Sequence, residues 1–340
     1  MTHRRLTIDE IETLAFDALS VSGAAARAAR PLAKAVAAAE AEGIASHGLA
    51  YVPIYCEHLA CGKVDGSAVP RVMNPGPATI AVDAGTGFAH PAIDLGFEQL
   101  VPLARKMGIA ALAVRNSYNC GVLGYHTDRL AAAGLLALGY THAPASIAPV
   151  GGRRAVIGTN PFAIAAAGRD GRVVLSIDQS ASVIAKSEIG KRKREGRSIP
   201  PDWAFGPDGE PTTDPDLALK GTMAPSGGYK GFGIGLMVEL LASAAAGALP
   251  STEASPFAGT AGGPPRTGQF FIAIDAQSTS DGVFAGRVDA QAEAIGSQPG
   301  ARLQGARRAA ARRAAESHGV AVPEELLARI EAIRAARSTQ

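Results

Sequence analysis

Apolar positions recur every three to four residues at the start of the chain and form short continuous runs further on. Ile8, Ile11, Leu14 and Ala15 share one helix face, opened by the capping box Thr7-Ile8-Asp9-Glu10. The alanine-rich stretch 23–42 predicts a second helix that stops near Gly43, and 52–59 predicts a third. Ser46-His47-Gly48 falls in the break between them, so a group placed there is held by rigid elements on both sides.

Residues 78–83 read as a strand. A helix over 91–106 ends at Gly108 before a buried strand over 109–114. The order repeats with a helix over 122–133, Gly134, and a strand over 135–140, which indicates a layered α/β architecture. Further strands are predicted over 173–177 and 269–275, with a Pro/Gly/Ser/Thr-rich surface loop over 250–268. Pro323 opens a final helix whose apolar face carries Leu326, Leu327, Ile330 and Ile333. The long apolar run 231–249 carries Glu239. An unpaired carboxylate in lipid costs several kcal/mol, so the run reads as a buried helix and not a membrane span. No solenoid-type repeat is present.

With 340 residues, 47% of them hydrophobic, the chain can bury a large core without covalent staples. Lys and Arg total 33 against 31 Asp and Glu, a formal charge of +2, which argues against a general role on nucleic acids or membrane surfaces. Arg302, Arg307, Arg308, Arg312 and Arg313 make the tail locally basic, either as a solvated helix face or in part as a contact for a cofactor phosphate. Cys56, Cys61 and Cys120 form no CxxC pair, and the start Met1-Thr2-His3-Arg4-Arg5 has no apolar signal core. The expected location is the reducing cytoplasm.

No GxGxxG follows a strand and opens a helix. The spacing in Gly231-Phe232-Gly233-Ile234-Gly235 is wrong for it, and P-loop, HExxH and paired-cysteine zinc patterns are absent, so no metal is expected. Four stretches nevertheless carry chemistry. His47 in Ser46-His47-Gly48 can exchange a proton near neutral pH, oriented by Ser46, although a lone histidine is more often structural. Gly158-Thr159-Asn160-Pro161 is a tight turn, or a set of hydroxyl and amide groups aimed at a ligand. Asp178-Gln179-Ser180-Ala181-Ser182 leaves a strand and enters a helix, suited to ribose or phosphate, or to an ordinary helix cap. Gly227-Gly228-Tyr229-Lys230-Gly231 opens the long apolar helix, where close backbone approach, a helix N-terminus and a cation suit a phosphate.

In this order and spacing, the four stretches resemble the malate/L-lactate dehydrogenase family, which is distinct from the Rossmann-type lactate and malate dehydrogenases. Ureidoglycolate, 2,3-diketogulonate and sulfolactate dehydrogenases and piperideine/pyrroline-2-carboxylate reductases belong to it. The resemblance runs from Ala39-Glu40-Ala41-Glu42-Gly43 through Pro200 to Trp203 and Pro211-Thr212-Thr213-Asp214-Pro215 to the final helix. It implies a non-Rossmann α/β fold with a mixed, largely antiparallel central sheet and flanking helices, a homodimer, and NAD or NADP as cofactor, NADPH slightly favoured. The implied division is a helical dimerisation and substrate region over 1–75, a cofactor domain over 76–305, and a helical region over 306–340 packing back on the first.

By the same resemblance His47 is the proton donor, assisted by Ser46. Tyr51, Tyr55, Asn119 and Thr159 line the substrate site. Gly121, Val122, Leu123, Asp178, Gln179, Ser180, Ser182, Tyr229, Lys230 and Gly305 line the cofactor site. Three positions depart from the family pattern. Tyr51 stands where many relatives carry a carboxylate-clamping Arg, Asn119 where many carry His, and Ala306 where Glu is common. Tyr51, Tyr55, Tyr118 and Asn119 then make a more neutral pocket and shift the substrate class. The expected activity is hydride transfer between nicotinamide and the alpha carbon of a small 2-hydroxy or 2-oxo acid of malate, lactate or sulfolactate type. A cyclic imine reductase is the alternative, and a catalytically weakened nucleotide-binding paralogue the second alternative.

Overall fold

The structure, a computed structural model, describes residues 2–73 and 76–336. Domain limits expected at residues 1, 75 and 340 lie outside the described residues.

An edge strand β1 (His3–Leu6) leads into α1 (Ile8–Val21), where Thr7 and Glu10 form the expected capping box. Helix α2 (Ala26–Ala41), two single turns (Ala45–His47 and Leu49–Tyr51) and α3 (Val52–Ala60) follow. Ile11, Leu19, Leu32, Val36, Leu49 and Val52 bury the apolar faces of these helices in one core, which also takes up Tyr55 and Tyr118. The spacing that predicted the helices is the spacing that packs them.

After β2 (Arg71–Val72) come β3 (Thr79–Asp83), α4 (Ala89–Met107), β4 (Ile109–Ser117), α5 (Leu123–Ala132), β5 (Leu136–Thr141), β6 (Phe162–Ala167) and β7 (Val173–Gln179). A small lobe holds α6 (Lys186–Arg194), β8 (Ala204–Phe205), α7 (Pro215–Lys220) and β9 (Thr222–Met223). Then α8 (Tyr229–Glu239) runs into a π-helical segment, Leu240–Ala245. Strand β10 (Thr267–Ile274), α9 (Ala276–Thr279), α10 (Phe284–Gly296), α11 (Ala306–His318), β11 (Val320–Pro323) and α12 (Glu324–Ala335) complete the chain. Strand β11 pairs with β1, and Leu327 and Ile330 of α12 enter the core of the first helices.

The central sheet has seven strands in the order β2-β3-β4-β10-β5-β6-β7. Among the described residues, only β3 and β4 of this sheet run parallel and the other pairs are antiparallel, so the sheet is mixed and largely antiparallel, as the family resemblance implied. Strand β10 returns from far along the chain to sit between β4 and β5. One sheet face carries Ile80, Leu112, Val114 and Phe271 beneath Ile93, Phe97 and Leu100 of α4 and Leu130 of α5.

Two expectations need correction. Strand β4 is buried on one face only: Leu112 and Val114 are inaccessible, whereas Ile109 is 49% exposed. The apolar run after Gly231 is not a fully buried helix either. Gly231, Gly235, Val238 and Ala242 face inward, but Ile234, Leu236, Met237 and Leu240 lie on the surface, Leu240 at 59% exposure. Apolar composition all round disguised a helix with one covered and one uncovered face. Among the described residues, no helix is long and apolar enough to cross a membrane.

Candidate active site

Ser46-His47-Gly48 lies in the tight turn between α2 and α3, and a buried carboxylate fixes that turn. Glu40 Oε1 on α2 accepts a 2.7 Å hydrogen bond from the Leu49 backbone N–H. A Cβ on Gly48 would stand 2.4 Å from the same oxygen, so the motif's glycine is the residue that lets Glu40 seat. Ser46 and His47 face outward, with Ser46 Oγ 3.1 Å from His47 Nδ1. Although open to solvent, the imidazole is crowded by protein, and this desolvation lowers its pKa.

Beside His47 stands a wall of phenols. The rings of His47 and Tyr51 are parallel to within 5°, with centroids 6.4 Å apart, and Tyr55 lies 4.7 Å from Tyr51. Tyr55 donates to Asn119 Oδ1 at 3.3 Å, and Asn119 Oδ1 also accepts from the Gly121 backbone at 3.2 Å. Burial raises the pKa of Tyr51, Tyr55 and Tyr118, so all three stay protonated at neutral pH. The four expected members of a neutral pocket, Tyr51, Tyr55, Tyr118 and Asn119, are therefore neighbours in space.

From Gly121 the chain turns into α5. The side chains of Val122 and Leu123 are buried in the core, so only the backbone of this segment is available to a ligand. Asp178 reaches across from β7 and accepts from Gly124 N at 2.7 Å. The sequence reading that Asp178-Gln179-Ser180-Ala181-Ser182 enters a helix is corrected here. A loop follows β7, α6 starts only at Lys186, and Asp178 caps α5, a helix remote in sequence. A Cβ on Gly124 would meet Arg308 at 2.6 Å and Asp178 Oδ2 at 2.9 Å, so close approach requires glycine there.

Around Asp178 lies a charge cluster that sequence spacing did not disclose. Arg308 pairs with Glu42 at 3.4 Å and Asp128 at 3.8 Å and bonds to Ser176 Oγ, while Arg312 reaches Glu42 at 3.7 Å. Desolvation raises the pKa of Glu42, Asp128 and Asp178. Of the basic tail, Arg308 alone turns inward, while Arg312 reaches Glu42 and Glu316 from the surface and Arg302, Arg307 and Arg313 also stay exposed. Gly305 precedes α11 and abuts Ser176 of β7, which places it beside Asp178's strand. Its traces in the sequence were the basic stretch around Arg308, Asp178 and the acidic pair in Ala39-Glu40-Ala41-Glu42-Gly43, which spacing alone does not join.

Backbone hydrogen bonds draw the remaining motifs together. Ala181 N donates to Thr159 O at 2.7 Å, Ser226 N to Ala181 O at 2.8 Å, and Val183 N to Ala224 O at 3.0 Å. The hydroxyls of Ser180 and Ser182 lie 3.0 Å apart, and Gln179 at the end of β7 is exposed. Asn160, fully buried with φ 38°, anchors the turn to α8. Its Nδ2 donates to Gly235 O and Glu239 Oε2, both at 2.9 Å. Glu239 also accepts from Ser251 N at 2.8 Å, which satisfies the carboxylate that had excluded a membrane span. Gly228 with φ 64° starts α8 as expected. Tyr229 is 70% exposed, Lys230 projects outward, and neither side chain has a hydrogen bond or ion pair among the described residues.

These features fit a dinucleotide. The positions where a Cβ would point from Gly227 and Gly228 are open space at the N-terminus of an 11-residue helix with a free lysine. The Gly121 backbone and the Asp178 carboxylate can receive the sugar side. His90 and His126 lie buried beneath Gly121, both with pKa lowered by burial, His126 to about 3, so they remain neutral. A separate concavity of about 660 Å3, lined in part by Leu135, Arg169, Phe284 and Arg287, contains none of the motif residues. Among the described residues, no group of three or more His, Cys, Asp or Glu could hold a metal ion.

A largely antiparallel sheet with a single parallel unit, β3-α4-β4, is not the parallel doubly wound sheet of a Rossmann dehydrogenase, and its structural neighbours define a non-Rossmann oxidoreductase. The chain belongs to the malate/L-lactate dehydrogenase family, whose model matches residues 6–331. It is 40% identical over 334 residues to a (2R)-3-sulfolactate dehydrogenase (NADP(+)) of Chromohalobacter salexigens, covering 98% of this chain and 99% of that one. It is 38% identical over 332 residues to a Delta(1)-pyrroline-2-carboxylate reductase of Ancylobacter novellus, covering 97% of each. The crystal structure of delta1-piperideine-2-carboxylate reductase from Pseudomonas syringae pv. tomato has a TM-score of 0.91 at 33% identity, covering 97% of this chain and 99% of that one.

Proposed function

We propose that the protein transfers a hydride between NADPH or NADH and the alpha carbon of a small 2-oxo, 2-hydroxy or cyclic imino acid, with His47 exchanging the accompanying proton. One observation carries this reading. A bonded path runs from the phenols beside His47 through Asn119 and Gly121 to Gly124 and Asp178, so the proton-donor wall and the nucleotide wall form one rigid unit. NADP is favoured because the sulfolactate relative is named for it.

When bound, the nicotinamide supplies the hydride. His47 delivers a proton to the substrate oxygen or nitrogen in the reductive direction and removes it in the oxidative one. Ser46 occupies Nδ1 and leaves Nε2 for the substrate. Tyr51 and Asn119 hold the substrate, with Tyr55, expected beside them but buried in the core, bracing Asn119 from behind, and Thr159 shapes the opposite side. Gly121, Val122 and Leu123 offer backbone. Asp178, Gln179, Ser180, Ser182 and Gly305 border the ribose, and Tyr229 and Lys230 meet a phosphate. Regions 1–75 and 306–340 act together as the substrate side, and 76–305 as the cofactor side.

The reading is tested with both cofactors over 2-hydroxy acids, sulfonates and cyclic imino acids. Nucleotide binding without turnover of any of them would leave a binding protein in its place. The pH profile gives a second check. Because the protein lowers the pKa of His47 below 6.5, the neutral base persists under mildly acidic conditions. Oxidative kcat/KM should hold down to pH 6.5 and fall only as pH drops through the lowered value. Reductive kcat/KM, which uses the imidazolium, should rise over the same window.

The partner is a small acid, not a nucleic acid or membrane, and three free cysteines suit a reducing cytoplasm. We also propose a homodimer, supported by the surface apolar residues Ile234, Leu236, Met237 and Leu240. Light scattering should give twice the 34.5 kDa chain mass, and Leu240→Glu should shift it towards one chain. A wild-type monomer at micromolar concentration would refute the dimer.

A further inference from the structure

The polar groups in the wall beside His47 divide by the direction in which their hydrogen bonds run. The hydroxyls of Tyr118 and Tyr55 turn inward, on side chains that are each 1% exposed. That of Tyr118 bonds to Nδ1 of His58, whose Nε2 lies 3.0 Å from the Gly259 carbonyl oxygen. That of Tyr55 bonds to Asn119 Oδ1. Neither hydroxyl is left to meet a ligand.

The same bonds settle which way the Asn119 amide faces. A backbone N–H only donates, so the atom that Gly121 N meets at 3.2 Å is the amide oxygen and not the nitrogen. Tyr55, at 3.3 Å from that oxygen, must donate to it as well. Both acceptor sites of Oδ1 are thus filled, one of them from the buried core. Nδ2 carries two N–H donors, makes no hydrogen bond among the described residues, and is not sealed in the interior, since Asn119 is only half-buried. An amide does not titrate, so these donors persist across the working pH range.

We propose that Asn119 recognises the carboxylate of the substrate, with Nδ2 donating to one of its oxygens, in a site where Tyr51 stands in the place of a clamping arginine. An arginine fork grips both oxygens and brings a full charge; the amide grips through a neutral donor whose aim is set by Gly121 and Tyr55. Tyr55 is a positioning residue here and does not itself touch the substrate. The inference rests on the functional reading above, which makes the space beside His47 the substrate site.

The test uses the NADPH-loaded full chain and two planar probes of equal size, pyrrole-2-carboxylate and its neutral amide, pyrrole-2-carboxamide. Calorimetry should show wild type binding the carboxylate about tenfold more tightly, the lower end of what a hydrogen bond to a charged group contributes. Asn119→Asp keeps an oxygen for Gly121 N and Tyr55 but turns a second carboxylate oxygen towards the ligand, so the preference should reverse in favour of the carboxamide. Asn119→Ser keeps an acceptor for the turn and loses the amide donors, and should bring the ratio to about one. NADPH affinity and circular dichroism should match wild type in both variants. Equal wild-type affinity for the two probes, binding of neither, or a carboxylate preference that either variant keeps in full overturns the proposal. Loss of NADPH affinity in place of carboxylate affinity also overturns it, and assigns the amide to the nicotinamide carboxamide oxygen. If the preference survives both substitutions while His47→Ala still abolishes turnover, the functional reading stands and this inference alone fails.

Discussion

His47→Ala is expected to lower kcat by about 10²–10⁴-fold on the best substrate, the range general acid–base groups contribute. NADPH affinity should stay unchanged, because the contacts of His47 are to Ser46 and Tyr51 and none runs to Asp178, Gly305 or Lys230. The turn should also survive, since Glu40 holds it through the Leu49 backbone and not through the imidazole. The expected signature is therefore a loss of kcat with cofactor titration and thermal unfolding as in wild type. Wild-type turnover by the variant would remove His47 from the mechanism.

Asn160→Ala should be the most destabilising single change near the site. Three hydrogen bonds disappear: from Ala143 N to Oδ1 at 3.2 Å, and from Nδ2 to Gly235 O and to Glu239. The Gly235 carbonyl loses this partner, the Glu239 carboxylate keeps only Ser251, and alanine is forced into φ 38°. Unmet buried groups at about 1–3 kcal/mol each and about 1–2 kcal/mol for left-handed backbone sum to roughly 4 kcal/mol. Urea denaturation should show a lower midpoint at unchanged slope. A shift below about 1 kcal/mol would show that Asn160 is not the anchor. Loss of activity should follow the loss of folded protein, in contrast to His47→Ala.

Asn160 also shows where the sequence was ambiguous. A Thr-Asn-Pro turn reads equally well as a ligand-facing loop or a structural corner, because either requires the same left-handed, amide-bearing residue. Glu239, 79 residues on, decides for the structural role of Asn160. Thr159 remains a candidate for the substrate, through a backbone that meets Ala181. Asp178 was legible as chemistry but not as geometry. A carboxylate after a strand reads as a cap for the next helix, whereas the helix it caps, α5, lies more than 50 residues earlier. Arg308 reads as part of a solvated face until Glu42 and Asp128 are brought against it, whereas Arg312 does lie on that face. The α8 run was misjudged for a related reason: hydropathy gives the composition of a helix but not which side the rest of the protein covers.

The sequence by itself determined the helices, most strands, the Ser46-His47-Gly48 break and the ordered motif set that places the chain in its family. These follow from local periodicity, capping and turn chemistry, which act within a few residues. Only the tertiary structure decided the insertion of β10 between β4 and β5, the capping of α5 by Asp178, the inward turn of Arg308, and the contact of the Tyr118 hydroxyl with His58. Each depends on groups far apart in the chain whose burial leaves them no water to bond, so their partners are fixed by packing and cannot be read from spacing.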